Sequence, residues 1–255
     1  MSAAVDLQGR HALVTGASGG LGLHFARLLA AAGADVTLAA RRLGQLKEVV
    51  GDIEARGGRA GAVAMDVTDA GSVAQGFASA EQRGGPVQVL VNNAGVALTR
   101  NAVDVEEADW NQVVDTNLKG AWLAARETAR RLIAARQAGV IVNIASILGL
   151  RVAGAVAPYA ISKAAVIQMT KVLALEFARH SIRVNALAPG YIETDLNRDF
   201  FATDAGQAII KRIPQRRLGQ LEHLDGPLLL LASDASTYMT GAVIAVDGGH
   251  LVSSL

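Results

Sequence analysis

Seven short apolar runs, separated by longer stretches of helical period, limit the folds open to this chain. The runs are HALVT (11–15), ADVTLAA (34–40), GAVAMDV (61–67), VQVLVN (87–92), GVIVNIAS (139–146), IRVNALA (182–188) and AVIAVD (242–247). Most are apolar at successive positions, as strands buried on both faces must be. Between them, 19–32, 43–57, 69–83, 106–136, 158–179 and 221–233 are each long enough for a crossover helix. This alternation predicts an α/β fold, a doubly wound parallel sheet of about seven strands with helices on both faces. No linker-like stretch and no repeat interrupts it, so residues 1–255 are expected to form one domain.

Such a sheet needs a large core. Hydrophobic residues make up 51% of the chain and charged residues 18%, which excludes disorder. A net charge of +1 gives no pull toward nucleic acid or a membrane surface, and neither is expected as a partner. The absence of cysteine excludes disulfides and thiolate chemistry. The histidines at 11, 24, 180, 223 and 250 lack ligand spacing, so no metal site is expected. MSAAVDLQGRHALVTG does not read as a secretory signal. The longest uncharged run, Gly84 to Thr99, is too short and polar to cross a bilayer, which takes ~20 apolar residues. A soluble, cytoplasmic protein is the expectation.

The turn after the first run, TGASGGLG (15–22), carries glycines at 16, 20 and 22. Glycine there permits a tight passage from strand into helix and close approach of backbone N–H groups to a pyrophosphate. Gly16, Ser18, Gly20, Leu21 and Gly22 are therefore candidate cofactor contacts in a Rossmann-type, dinucleotide-binding domain. The end of the second run discriminates between cofactors. An enzyme selecting NAD usually places a carboxylate there for the ribose 2′-hydroxyl. This chain has Ala39, Ala40, Arg41, Arg42. Two guanidinium groups and no acid favour a 2′-phosphate, so NADP(H) is expected over NAD(H), with Arg41 and Arg42 as its clamp.

YAISK (159–163) sets a phenol and an ammonium four residues apart, a spacing that puts both on one helix face. A free tyrosine has a pKa of about 10, and bringing it to working pH takes roughly 3–4 kcal/mol of preference for phenolate. A neighbouring ammonium is the kind of group that supplies it. Taken together, TGASGGLG (15–22), Asp66-Val67, NNAG (92–95), Asn117 in DTNLKGAW, Ser146 in NIAS, YAISK, PGYIET (189–194) and VDGG (246–249) resemble the short-chain dehydrogenase/reductase family from about Gly9 to Gly249. The layout is similar to its 3-oxoacyl-carrier-protein reductase branch.

The resemblance implies roles position by position. Tyr159 would be the general acid in carbonyl reduction and the base in alcohol oxidation. Lys163 would hold the nicotinamide ribose and lower the phenol's pKa, Ser146 would hydrogen-bond the substrate oxygen, and Asn117 would anchor a water beyond Lys163. Asp66 and Val67 would flank the adenine, while Asn93, Ala94 and Gly95 would line the cofactor. Pro189, Gly190, Ile192 and Thr194 would pack on the nicotinamide. The residues alone leave blander alternatives: Asp66 closing a strand, Asn117 a polar residue in a long helix, Thr194 a helix cap before Asp195 and Leu196.

The stretch from Pro189 to about Gly219, with Tyr191, Ile192, Leu196, Phe200 and Phe201, is expected to be a lid over the substrate. A surface helix pair is the alternative. Ile147, Leu148, Leu150, Val152 and Val156 are expected to face the substrate, which favours a hydrophobic ketone or acyl thioester; Arg151 could meet an anion. Segments 106–136 and 158–179 resemble the family's pairing helices, and a homotetramer is expected. The leading activity is NADP(H)-dependent hydride transfer between nicotinamide and a carbonyl or secondary alcohol. The alternatives are an NAD-dependent alcohol or sugar dehydrogenase, a non-catalytic NADP(H) sensor, and a lyase or epimerase that borrows the hydride.

Overall fold

The structure, a computed structural model, describes residues 5–194 and 197–253. Seven parallel strands form one sheet: β1 (His11–Thr15), β2 (Asp35–Ala40), β3 (Arg59–Ala64), β4 (Val89–Asn92), β5 (Gly139–Ile144), β6 (Ile182–Pro189) and β7 (Val243–Val246). Their order is β3-β2-β1-β4-β5-β6-β7, so the chain reverses direction across the sheet between β1 and β4. Ligands of open α/β sheets bind at such a switch point, beyond the carboxyl ends of the strands.

Helices α1 (Gly20–Ala31), α2 (Leu43–Ala55) and α3 (Ala70–Gly84) follow the first three strands. After β4 come α4 (Glu107–Val114), a single π turn (Asp115–Lys119) and α5 (Gly120–Ala135). The long helix expected over 106–136 is thus interrupted at Asn117, and such π turns are frequent at functional sites. Next come α6 (Ala157–Phe177), α7 (Arg198–Ala202), α8 (Asp204–Ile210) and α9 (Asp225–Ala232).

The strand period divides the core in two. Val14 and Leu38 meet Phe25 and Leu29 of α1, Leu46 of α2 and Leu228 of α9 on one face. Leu13, Leu90 and Ile141 meet Phe77 of α3 and Leu132 of α5 on the other. Each strand therefore had to be apolar at consecutive positions, which is how it reads in the sequence. The third run is shorter than its pattern suggests. β3 stops at Ala64, and Asp66 lies beyond it in a turn, its carboxylate accepting from the Thr68 N–H at 2.9 Å and hydroxyl at 2.8 Å.

At the amino end of β1, opposite the glycine turn, His11 is buried with a defined tautomer. Its Nδ1 lies 2.7 Å from the Gly85 carbonyl, which can only accept, so Nδ1 carries the proton. Nε2 then accepts from the Thr37 hydroxyl at 2.8 Å, and the Thr37 oxygen accepts from Arg83 at 3.1 Å. Burial foremost, with the charge of Arg83, holds His11 below its ordinary 6.5, although the Gly85 carbonyl, Asp35 and Glu81 pull it back up. The unfolded chain consequently takes the proton first as pH falls through 6.5. The stability His11 contributes is present above 6.5 and lost on acidification. Thermal unfolding at pH 7.5 and 5.5 should show a fall that is smaller in His11→Gln; equal falls in both proteins would remove His11 as its source.

Candidate active site

The turn after β1 is built by exclusion of side chains. Gly16 adopts φ +67°, and a Cβ there would stand 2.8 Å from the Ala94 Cα. A Cβ on Gly22 would fall 2.3 Å from the Gly16 carbonyl oxygen, so only glycine lets α1 pack this closely on the turn. Around Gly19 and Gly20 nothing lies within 4 Å of an added Cβ. Gly19 caps α1 without any side-chain bond, and the first turn of α1 holds no acid. The turn therefore leaves open space beside the positive end of a helix, the chemistry a pyrophosphate needs.

The opposite wall is latched to this turn by Thr15, a residue the sequence reading passed over. Its hydroxyl oxygen accepts from the N–H groups of Asn93 and Ala94, each at 3.0 Å. The Asn93 amide returns bonds to the Thr15 carbonyl at 3.0 Å and the Gly16 carbonyl at 3.3 Å. A threonine directly before the glycine turn was the available signal. The loop after β4 and the loop after β1 thus form one rigid cradle.

The cradle opens into a cleft of about 1090 Å³ that runs along the carboxyl ends of the strands. Its walls include Gly16, Ser18, Gly20, Leu21, Arg41, Arg42, Asp66, Val67, Asn93, Ala94 and Gly95, then Ser146, Tyr159, Lys163, Pro189, Gly190, Ile192 and Thr194. Of the expected cofactor and catalytic residues, Gly22 and Asn117 are not part of the wall. Arg41 and Arg42 are both exposed on it, directly after Ala40. Asp66 is held below the usual carboxylate range by its two bonds from Thr68 and, more weakly, by Arg41.

Ser146, Tyr159 and Lys163 come together because the loop after β5 lies flat on α6. A Cβ on Gly149 would stand 2.7 Å from the Lys163 carbonyl carbon, so glycine permits that contact. Proline at the first turn suits the start of α6. The preceding loop holds Ala155 at φ +60° and gives its carbonyl to the Arg100 N–H at 2.8 Å. Ser146 accepts from the Leu148 N–H at 3.1 Å, leaving its own hydroxyl proton to be donated elsewhere. Lys163 Nζ lies 5.7 Å from the centroid of the Tyr159 ring, on the shared helix face that the four-residue spacing predicts.

Asn117 braces the catalytic helix from behind. Its Oδ1 accepts from the Val96 N–H at 2.8 Å, and Nδ2 donates to the Val96 carbonyl at 2.9 Å and to Ser162 Oγ at 3.0 Å. Ser162 in turn donates to the Tyr159 carbonyl at 2.7 Å. A Cβ on Gly95 would lie 3.2 Å from Asn117 Oδ1 and 3.6 Å from Lys163 Nζ, so this glycine separates the two groups. Ser162, within YAISK, was not singled out from the sequence.

Burial dominates the ionisation of both groups. It holds Tyr159 above its ordinary 10, with the Ser146 hydroxyl offsetting part of the shift and Tyr191 adding to it. The Lys163 ammonium donates to the Ile144 carbonyl at 2.7 Å and sits over the ring. Its own pKa is pushed down to about 8 by burial. One expectation needs correction, that for the apolar stretch between serine and tyrosine. Ile147, Leu148, Leu150, Val152 and Val156 are absent from the cleft wall. Ile147 is buried in the core, whereas Val152 is 88% exposed. Tyr191, Thr194 and Asn197 take the place expected for them.

The expected lid segment contains α7 and α8, and Phe201 packs edge-on against Tyr191 at 5.8 Å. Asn197 is the residue before α7, and its Oδ1 accepts from the Thr194 N–H at 2.9 Å, so Thr194 is not the helix cap. Asp195 and Leu196 lie outside the described residues.

Comparison with known proteins agrees with this geometry. Residues 16–250 match the family described as enoyl-(acyl carrier protein) reductase. The chain is 38% identical over 249 residues to gluconate 5-dehydrogenase of Gluconobacter oxydans, covering 97% of each. It is 37% identical over 246 residues to the 3-oxoacyl-[acyl-carrier-protein] reductase of Thermotoga maritima, covering 96% of this chain and 99% of that one. A gluconate 5-dehydrogenase from Burkholderia cenocepacia, crystallised in complex with NADP and tartrate, superposes with a TM-score of 0.94 at 36% identity over 98% of both chains. The chain belongs to the short-chain dehydrogenase/reductase family, and its activity is that of a hydride-transferring oxidoreductase.

Proposed function

We propose that the protein uses NADP(H) in preference to NAD(H) to interconvert a carbonyl and a secondary alcohol of a small molecule, with Tyr159 as proton donor and acceptor. What supports the reading is one continuous cleft that joins Arg41 and Arg42 at one end to Ser146, Tyr159 and Lys163 at the other. The glycine turn and the Thr15 latch would hold the pyrophosphate. The arginines would hold a 2′-phosphate, and Asn93, Ala94, Gly95, Pro189, Gly190, Ile192 and Thr194 would flank the nicotinamide half. The cofactor, when bound, supplies or accepts the hydride.

The remaining steps belong to the chain. The hydroxyls of Ser146 and Tyr159 would both donate to the substrate oxygen, polarising the carbonyl. As negative charge grows on that oxygen, Tyr159 gives up its proton, and the buried Lys163 ammonium favours the resulting phenolate. Alcohol oxidation runs the same path backwards. Asn117 and Ser162 hold the first turn of α6 so that the phenol and the serine stay aligned.

The test is an equilibrium titration with NADPH and NADH, alongside Arg41→Ala. NADPH should bind at least tenfold tighter, about 1.4 kcal/mol, and the variant should erase the gap. Equal or tighter NADH binding would instead favour the NAD-dependent dehydrogenase reading. Assembly as a homotetramer is a further part of this proposal. Trp122 and Ile133 on α5, with Ile161, Val172 and Leu175 on α6, are exposed, Leu175 by 82%. Sedimentation should give a tetramer that Leu175→Glu weakens, and a monomeric wild type would end the idea. No helix among the described residues is long and apolar enough to cross a membrane.

A further inference from the structure

We infer that the substrate carries a carboxylate and that Tyr191 holds it, in the positive field of Arg151 and Arg212. This rests on the oxidoreductase reading above and adds a second subsite to the same cleft.

Tyr191 lines the cleft together with Ser146 and Tyr159. Its ring is fixed on two sides, by Phe201 at 5.8 Å edge-on and by His250 at 5.6 Å. No hydrogen bond among the described residues uses its hydroxyl, and that oxygen is not among the buried, unpartnered atoms. A packed phenol on the wall of the cleft with an unspent donor is a substrate contact in waiting. It stands near enough to Tyr159 that ionising one phenol opposes ionising the other.

Three segments converge behind it. Arg151, from the loop after β5, donates to the His250 carbonyl and, at 3.2 Å, to Ser253 Oγ. The segment carrying Arg212 reaches the same place, because Gln215 N–H donates to the Gly248 carbonyl at 3.2 Å. Burial holds the Tyr191 phenol above its ordinary value, and the two guanidinium charges offset part of that; burial, then Arg151 and Arg212, also hold His250 below its ordinary value against the pull of Asp247. The acid nearby, Asp247, accepts from the N–H groups of Gly249 at 2.9 Å and Leu251 at 2.7 Å. Elsewhere Arg10, Arg27, Arg83, Arg100 and Arg131 pair with carboxylates, whereas Arg151 and Arg212 form no ion pair among the described residues.

A neutral ketone or a thioester would place no charge against these two guanidinium groups. A small oxo or hydroxy acid would. Its reacting carbon would sit at Ser146 and Tyr159, and its carboxylate would accept from Tyr191 a few bonds away. Hydrogen bonds to a charged partner are the stronger kind.

The experiment compares ketones matched except for charge, with NADPH: 5-keto-D-gluconate against L-sorbose, and 4-oxopentanoate against 5-hydroxy-2-pentanone. At least one acid should exceed its neutral partner in kcat/KM by tenfold or more. Tyr191→Phe, which keeps the packed ring, and the exposed Arg212→Ala should each cut that ratio, by about tenfold for the tyrosine. Added salt should lower the ratio in the wild type and do so less in Arg212→Ala. A neutral ketone reduced as well as its acid, or a ratio unmoved by both variants, would overturn the carboxylate subsite while leaving the oxidoreductase reading intact. No turnover of any ketone would overturn both.

Discussion

Replacing Tyr159 with phenylalanine should lower kcat by a factor of ~10²–10⁴, the range that positioned acid–base groups contribute, while NADPH binding changes little. Phenylalanine keeps the ring over Lys163 and its packing against the wall, and removes only the hydroxyl. The phenol is costly to ionise in these surroundings, since burial and Tyr191 both hold it above 10. Reduction uses the neutral phenol as an acid and so starts from the favoured form. Oxidation needs the phenolate and should therefore demand higher pH than reduction. Measuring kcat in both directions against pH, with NADPH affinity by fluorescence, separates these effects. Turnover within tenfold of wild type would remove Tyr159 from the chemistry. An unchanged cellular activity in this variant would favour a sensor, and product formed without net cofactor consumption would favour a lyase or epimerase.

The fold was legible because it is written redundantly. The inner strands are buried on both faces and apolar at consecutive positions, so their period survives small errors in their bounds. The candidate site was legible where geometry is local. Gly16 and Gly22 are dictated by contacts that exclude a side chain, and Tyr159 and Lys163 share a face through helical spacing alone. Contacts between distant segments were not legible. Thr15 matters through Asn93, and Ser162 through Asn117, pairs brought together only by the sheet order and the π turn. The apolar residues after Ser146 misled for a related reason. Hydrophobicity shows that Ile147 is buried, but not whether it faces the core or the cleft. Arg151 carried the opposite hint, since a charge within an apolar loop has to find a partner somewhere.

Lys163→Met should abolish most of the activity and raise the stability of the protein. The ammonium is fully enclosed, donates to the Ile144 carbonyl and lies over the Tyr159 ring, and no carboxylate among the described residues pairs with it. Holding a lysine that titrates at about 8 instead of 10.5 costs the fold about 3 kcal/mol at neutral pH. Methionine removes that cost and fills similar space, at the expense of one hydrogen bond worth about 1 kcal/mol. The net gain of about 2 kcal/mol corresponds to a rise in Tm of about 4–8 °C for a chain of this size. The pH dependence gives the effect a signature. Below 8 both folded and unfolded wild type carry the proton, and the full cost applies. Between 8 and 10.5 the unfolded chain keeps its proton while the folded one has lost it, so wild-type stability rises with pH. The advantage of the variant should accordingly shrink by pH 10. A variant less stable than wild type at pH 7 would show that the ammonium contributes more to the fold than its burial costs. A more stable, inactive protein would mean that this strained charge is kept for catalysis against the interest of the fold.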